Sequence, residues 1–142
     1  MTVVSSCLTG KKCRYNATDS FNIQLYEELG NYIDICPELL GGFGTPWPPC
    51  EIVSGTARDV LAGTGKIADK NGKDITSDML KGAMLALEFC KNNNVRRAYL
   101  KQNSPTCGFG KIYDGSFSGK LIEGNGIFAE LLIAAGIDVI AV

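Results

Sequence analysis

The sequence predicts an α/β domain of three layers, a mostly parallel sheet with helices on both faces, formed by residues 1–142 as a single unit. Short apolar runs rich in β-branched residues, at 2–6, 32–35, 95–100 and 137–142, have strand character. Segments with helical spacing of apolar residues lie between them, near 19–29, 76–91 and 126–135. Strands that alternate with helices pair in parallel, because a parallel neighbour needs a crossover long enough to hold a helix. Right-handed crossovers then gather the loops that follow the strands along one sheet edge, where open α/β folds bind their ligands.

Each element has a local reason. Residues 2–6, Thr-Val-Val-Ser-Ser, are extended, and they lead into the polar turn Cys7-Leu8-Thr9-Gly10-Lys11-Lys12-Cys13-Arg14-Tyr15. Asp19 or Ser20 is placed to cap a helix that runs to about Leu29, with Phe21, Leu25 and Leu29 on one face and Gly30 as its stop. Residues 32–35 form the second strand, which Pro37 ends directly after Cys36. Residues 39–49 hold a cluster of glycines and prolines around Trp47 and fit no regular element. Trp47 there serves either as a hydrophobic plug, the commoner role, or as a face for a planar ligand. Residues 51–74 read as short extended segments around turns, with Asn71-Gly72 a hairpin signal. Thr76 or Ser77 caps a helix to about Lys91, whose buried stripe is expected at Leu80, Ala83, Met84, Leu87 and Cys90. After the strand 95–100 and the Cys107 loop, residues 111–122 make a hairpin-like excursion. The last helix, 126–135, is expected to turn Ile127, Leu131, Ala134 and Ala135 inward, and 137–142 is the last strand.

Composition narrows the chemistry. A formal net charge of -1 gives no broad electrostatic grip on nucleic acid or anionic membrane, although Lys11, Lys12 and Arg14 form a local basic patch. No apolar run reaches the roughly 18 residues of a membrane span, and the strand-like start does not resemble a signal peptide, so a cytoplasmic location is expected. Histidine is absent, which removes Ser-His and Cys-His nucleophilic schemes and every zinc site that uses imidazole. Six cysteines in such a chain are expected to be reduced, and no CxxC pair marks a zinc ribbon.

Cys7, Cys36 and Cys107 each follow an apolar strand run, so the fold brings all three to the binding edge. Cys107 lies in Ser104-Pro105-Thr106-Cys107-Gly108-Phe109-Gly110, where glycine lets backbone approach a bulky group closely. Cys13 is an alternative to Cys7 as the third member, or a resolving thiol, or a bystander; Cys7 is favoured because a strand end fixes it. Cys90 lies on a helical apolar stripe and packs as a small hydrophobe. Cys50, after Pro48-Pro49, reads as a packed loop thiol. Three thiolates leave structural zinc one ligand short, whereas on a four-iron cluster they leave one iron open to a soft ligand such as sulfur.

The blocks Ser5-Ser6-Cys7-Leu8-Thr9-Gly10, Cys13-Arg14-Tyr15-Asn16, Cys36-Pro37-Glu38-Leu39-Leu40-Gly41-Gly42, Thr45-Pro46-Trp47-Pro48-Pro49, Ser104-Pro105-Thr106-Cys107-Gly108 and Tyr113-Asp114-Gly115 resemble, in this order, the DUF523 family. That family includes bacterial 2-thiouracil desulfidases. The resemblance implies a Rossmann-like domain and a [4Fe-4S] cluster held by Cys7, Cys36 and Cys107. It implies removal of sulfur from a thiolated base or nucleoside, with sulfide released and oxygen entering from water. Glu38 and Ser104 match positions implicated in handling substrate or water. Cys50 and Trp47 depart from the usual pattern, and the extra C-terminal domain of longer relatives that act on tRNA is not expected here. Two rival functions remain: a non-catalytic metal–thiolate module, sensor or sulfur carrier, and a thiol redox protein using Cys7 with Cys13.

Overall fold

The computed structural model describes residues 1–142. In chain order its elements are β1 (Thr2–Ser5), a 3₁₀ turn (Ser6–Thr9), α1 (Ile23–Glu28), β2 (Tyr32–Ile35), α2 (Pro37–Leu40), β3 (Cys50–Ser54), α3 (Ala57–Leu61), β4 (Lys66–Asp69), α4 (Thr76–Asn92), β5 (Arg97–Leu100), β6 (Lys111–Tyr113), β7 (Leu121–Glu123), α5 (Ile127–Ala134) and β8 (Asp138–Ala141). The main sheet is wholly parallel, in the order β2-β1-β5-β8, and Val3 pairs with Ile33 on one side and Ala98 on the other. Two small antiparallel ribbons, β3-β4 and β6-β7, stand apart from it.

Alternation along the strands divides the core. Val3, Ile35, Ala98 and Leu100 join the large cluster built with α4 and α5, whereas Val4 faces the opposite side with Leu8, Cys7 and Cys13. Leu25 and Leu29 at α1 cover that second face, so the sheet lies between helices in a Rossmann-like, three-layer arrangement. The two coverings are unequal: the first face carries the long α4 with α5, the second a six-residue helix.

Several boundaries differ from expectation. α1 starts later, at the Asn22 cap, because Asp19 spends its carboxylate on the Phe21 amide in a local turn. Phe21 is therefore 46% exposed, and Leu25 and Leu29 carry the packing. α2 and α3 were not expected; the first begins with Pro37 in its first turn, and the second has the capping box Thr56–Asp59. Thr76 does not cap α4; its hydroxyl bonds Asp74 and the Ile67 backbone instead. The buried face of α4 is Met79, Gly82, Ala83, Ala86, Leu87 and Cys90, rotated from the expected stripe, and Met84 is 51% exposed. In α5 the buried residues are Ile127, Phe128, Ala129 and Leu132, while Ala134 and Ala135 are exposed. In α4 the rotation follows from Gly82, which lets the helix lie against the Pro37 backbone, whereas in α5 the large side chains Phe128 and Leu132 take the core positions. The Asn71-Gly72 turn and the β6-β7 hairpin lie where the sequence places them.

Candidate functional site

At the carboxyl ends of β1, β2 and β5 a cavity of about 350 Å³ opens. Cys7, Cys13, Cys36 and Cys107 all line it, as do Glu38 and Ser104. Cys50 is packed against the main core as expected, but from the start of β3 rather than from a loop, and it lines the cavity too. Cys90 lies elsewhere, fully buried among apolar residues on α4, and burial pushes its thiol up to about 11. No helix is long and apolar enough to cross a membrane.

The Cys107 wall is held by helix ends. α5 presents unpaired amides at its start, as every helix does. Gly126, Ile127 and Phe128 donate backbone N–H bonds to the carbonyls of Gly108, Pro105 and Thr106, at 2.7, 2.8 and 2.9 Å. A Cβ on Gly126 would lie 2.3 Å from the Thr106 carbonyl oxygen, so glycine is needed for that approach. Ser104 Oγ accepts from the Cys107 amide at 2.7 Å and from the Thr106 amide at 3.3 Å. The hydroxyl thus fixes the loop by its lone pairs and keeps its own proton for the cavity.

Cys36 and Glu38 are set by α2, which lies directly on α4. A Cβ on Gly82 would meet the Pro37 carbonyl oxygen at 2.0 Å, and one on Gly41 would meet the Asp78 carbonyl oxygen at 2.5 Å. Backbone therefore touches backbone between these two helices. Glu38 Oε2 lies 3.5 Å from Cys36 Sγ, and the Glu38 carboxyl also meets the Thr106 hydroxyl. The accessible part of Glu38 faces the cavity; protein surrounds the rest, and that burial raises its pKa above the ordinary carboxylate range.

Cys7 sits in the 3₁₀ turn at the end of β1, and Cys13 folds back against both Cys7 and Cys36. The Cys36 thiol points at the Cys13 carbonyl oxygen, 4.0 Å away; the neighbouring Cys36 and Cys7 thiols raise the pKa of Cys13, while Cys13 is the main influence lowering that of Cys7. Lys101 and Arg14, also on the cavity, favour the Cys7 thiolate further. Desolvation raises the Cys107 thiol well above its ordinary range, with Ser5 acting against it. Ser5, buried on β1, also accepts from the Lys101 amide at 3.0 Å.

The donor set fits a polynuclear iron–sulfur group. It is all thiolate and soft. No three Cys, Asp or Glu side chains converge tightly enough to hold a single metal ion. Spread thiols around a volume of this size suit ligands that each bind a different iron. A deeply buried thiol such as Cys107 also gains most from a cationic centre that stabilises its thiolate.

Sequence reasoning missed the far wall. Tyr113, Phe117 and Gly119 come from the β6-β7 hairpin, and Glu51 and Lys70 from the β3-β4 ribbon. Trp47, half-buried beside Phe43 at 5.9 Å between ring centroids, completes an aromatic side, and so is no isolated plug. Trp47 and Tyr113 stand in sequence motifs, whereas no short motif announces Phe117, Gly119, Glu51 or Lys70, which the long-range approach of two ribbons brings in.

Three comparisons bear on the chain. The family model described as 2-thiouracil desulfurase matches residues 2–142. The uncharacterized protein YbbK of Bacillus subtilis (strain 168) is 48% identical over 143 residues, covering 99% of this chain and 95% of that protein. A solved structure, the [4Fe-4S]-dependent thiouracil desulfidase TudS, superposes with a TM-score of 0.85 at 34% identity, covering 99% of this chain and 89% of that one.

Proposed function

Because the chain belongs to the 2-thiouracil desulfurase family, we infer that it is a [4Fe-4S]-dependent thiouracil desulfidase, and we propose that Cys7, Cys36 and Cys107 hold the cluster. One observation carries this assignment: thiols from three separate strand exits line one cavity with a carboxyl group 3.5 Å from one of them. When bound by three thiolates, such a cluster supplies an iron open to the soft sulfur of a thiocarbonyl, where it acts as a Lewis acid.

The protein's own groups supply the rest. The net change replaces a C=S bond with C=O: water contributes the oxygen, sulfur leaves as sulfide, and no net electrons move. Glu38 is placed to take a proton from water or from the ring nitrogen. Ser104, with its oxygen engaged by two amides, is placed to donate its hydroxyl proton to a ring heteroatom. Lys101 and Arg14 hold positive charge where sulfide would form.

The test is sulfide release from 2-thiouracil by protein reconstituted with iron and sulfide without oxygen. Glu38→Ala is expected to keep its iron and lose turnover by roughly 100-fold. Full activity in that variant would remove Glu38 from the reaction. The direct contact of Cys13 with Cys7 favours one other function, thiol redox chemistry. That alternative predicts an iron-independent Cys7–Cys13 disulfide; a Cys13→Ser variant with full iron and full sulfide release would set it aside.

A further inference from the structure

The tip of the β6-β7 hairpin is anchored from outside itself. A lone two-stranded ribbon is marginal in water, and all of β7 is exposed. Strand β6 is tied to the main body where the Tyr113 amide donates to the Asn103 carbonyl, at 3.4 Å. The tip has a different tether. Glu51, buried on β3 with no cation beside it, accepts backbone N–H bonds through Oε1 from Gly115 at 2.8 Å and Phe117 at 3.3 Å. Gly115 has φ +92, and a Cβ there would sit 2.5 Å from the Ile52 carbonyl oxygen, so the tip lies hard against β3. Between two glycines of positive φ, Phe117 itself is held at φ +56. A bulky side chain rarely adopts that conformation, and it persists only where the surroundings impose it.

The result of this arrangement is that Phe117 lines the cavity. We propose that Phe117 is a specificity-determining residue that takes the planar ring of the substrate, and that Glu51 is the positioning residue that holds it there through the hairpin tip. A π-face suits any pyrimidine and discriminates against non-planar thiocarbonyl compounds. Pinning the tip to β3 lowers the ordering needed on binding. This assignment rests on the desulfidase function above.

The experiment uses the reconstituted holoprotein with two readouts: anaerobic equilibrium dialysis of uracil, and kinetics of sulfide release from 2-thiouracil. Phe117→Ala is expected to raise the uracil Kd and the 2-thiouracil KM roughly tenfold, with the loss carried by KM rather than kcat. Phe117→Tyr restores both constants. Glu51→Ala moves them in the same direction, Glu51→Gln restores most of the loss because its amide oxygen still accepts, and the Glu51→Ala/Phe117→Ala pair binds no more weakly than Phe117→Ala. Should Glu51→Ala fail to fold, the Gln and Phe117 variants decide. Unchanged constants in Phe117→Ala, or additive losses in the pair, overturn the proposal while leaving the desulfidase function standing. A wild type that binds uracil but releases no sulfide overturns the function and leaves the aromatic arm to the dialysis result. No binding of either base by the wild type overturns both.

Discussion

Two walls of the same cavity hold their cysteines by different means. Cys36 and Cys107 are set by helices α2 and α5, which are fastened to a core cluster of 22 buried residues through backbone contacts at Gly82 and Gly126. Cys7 and Cys13 belong to a second cluster of 4 buried residues, covered only by partly buried side chains such as Leu25, Leu29 and Tyr99. The segment that follows Cys13 is tied back to the 3₁₀ turn by a few bonds, among them Ser20 N–H to the Cys7 carbonyl at 2.8 Å and Asn22 N–H to the Leu8 carbonyl at 3.0 Å. One wall is therefore complete when the core folds. The other rests on a much smaller cluster with thinner cover. The same cavity thus joins a deeply packed half to a thinly covered one.

The contrast can be broken at graded strength. Phe128 is fully buried between α5 and the core, so Phe128→Ala is expected to lose about 4 kcal/mol in denaturant unfolding. Gly82→Ala forces α2 away from α4; after the helix-propensity gain of alanine, a net loss of about 2 kcal/mol is expected, with reduced iron retention because Cys36 moves. On the thinly covered wall Leu25→Ala is expected to lose about 1 kcal/mol or less, and to speed hydrogen exchange over residues 10–22 while the amides of 126–129 keep their protection. Equal effects of Leu25→Ala and Phe128→Ala would erase the distinction between the walls.

The smallest effect belongs to an exposed cap on the outer side of α3, which lines no part of the cavity. Backbone and hydroxyl bonds from Thr56 hold the Asp59 carboxyl of α3 below its ordinary range. A depressed folded-state pKa stabilises above the unfolded value near 4 and is lost as pH falls through the folded value. The Tm difference between wild type and Asp59→Asn is thus expected to shrink below about pH 4 and to leave iron content at neutral pH untouched.

Much of this was legible in the chain, for identifiable reasons. The parallel sheet shows itself because its short β-branched and apolar runs alternate with segments of helical spacing, a pattern that calls for crossover helices. Cys7, Cys36 and Cys107 reach one cavity because each follows such a run, and that consequence of topology needs no side-chain geometry. Helix faces were less legible. Met84 was expected inward and Gly82 was passed over, because a glycine at a helix contact carries no hydrophobic signal although it permits the closest approach. α2 escaped notice because it is a single turn inside a glycine- and proline-rich stretch. The Glu51–Phe117 tether lay out of reach for a different cause, since it joins residues far apart in sequence through a carboxylate and a backbone amide. The likeness of ordered motifs to DUF523 proteins reached the thiols, Glu38 and Ser104. Of the aromatic side it reached Trp47 and Tyr113 but not Phe117.

The amides of Gly126, Ile127 and Phe128 also impose an order of assembly. A chain emerging from the ribosome exposes every proposed iron ligand once Cys107 is out, yet the loop that shapes Cys107 has no partner for its carbonyls until α5 follows. Synthesis adds residues over seconds, so α5 docks after a measurable delay. If these thiols hold the cluster as proposed, a translation product cut short before Gly126 carries all of them and is expected, on iron analysis after reconstitution, not to retain iron.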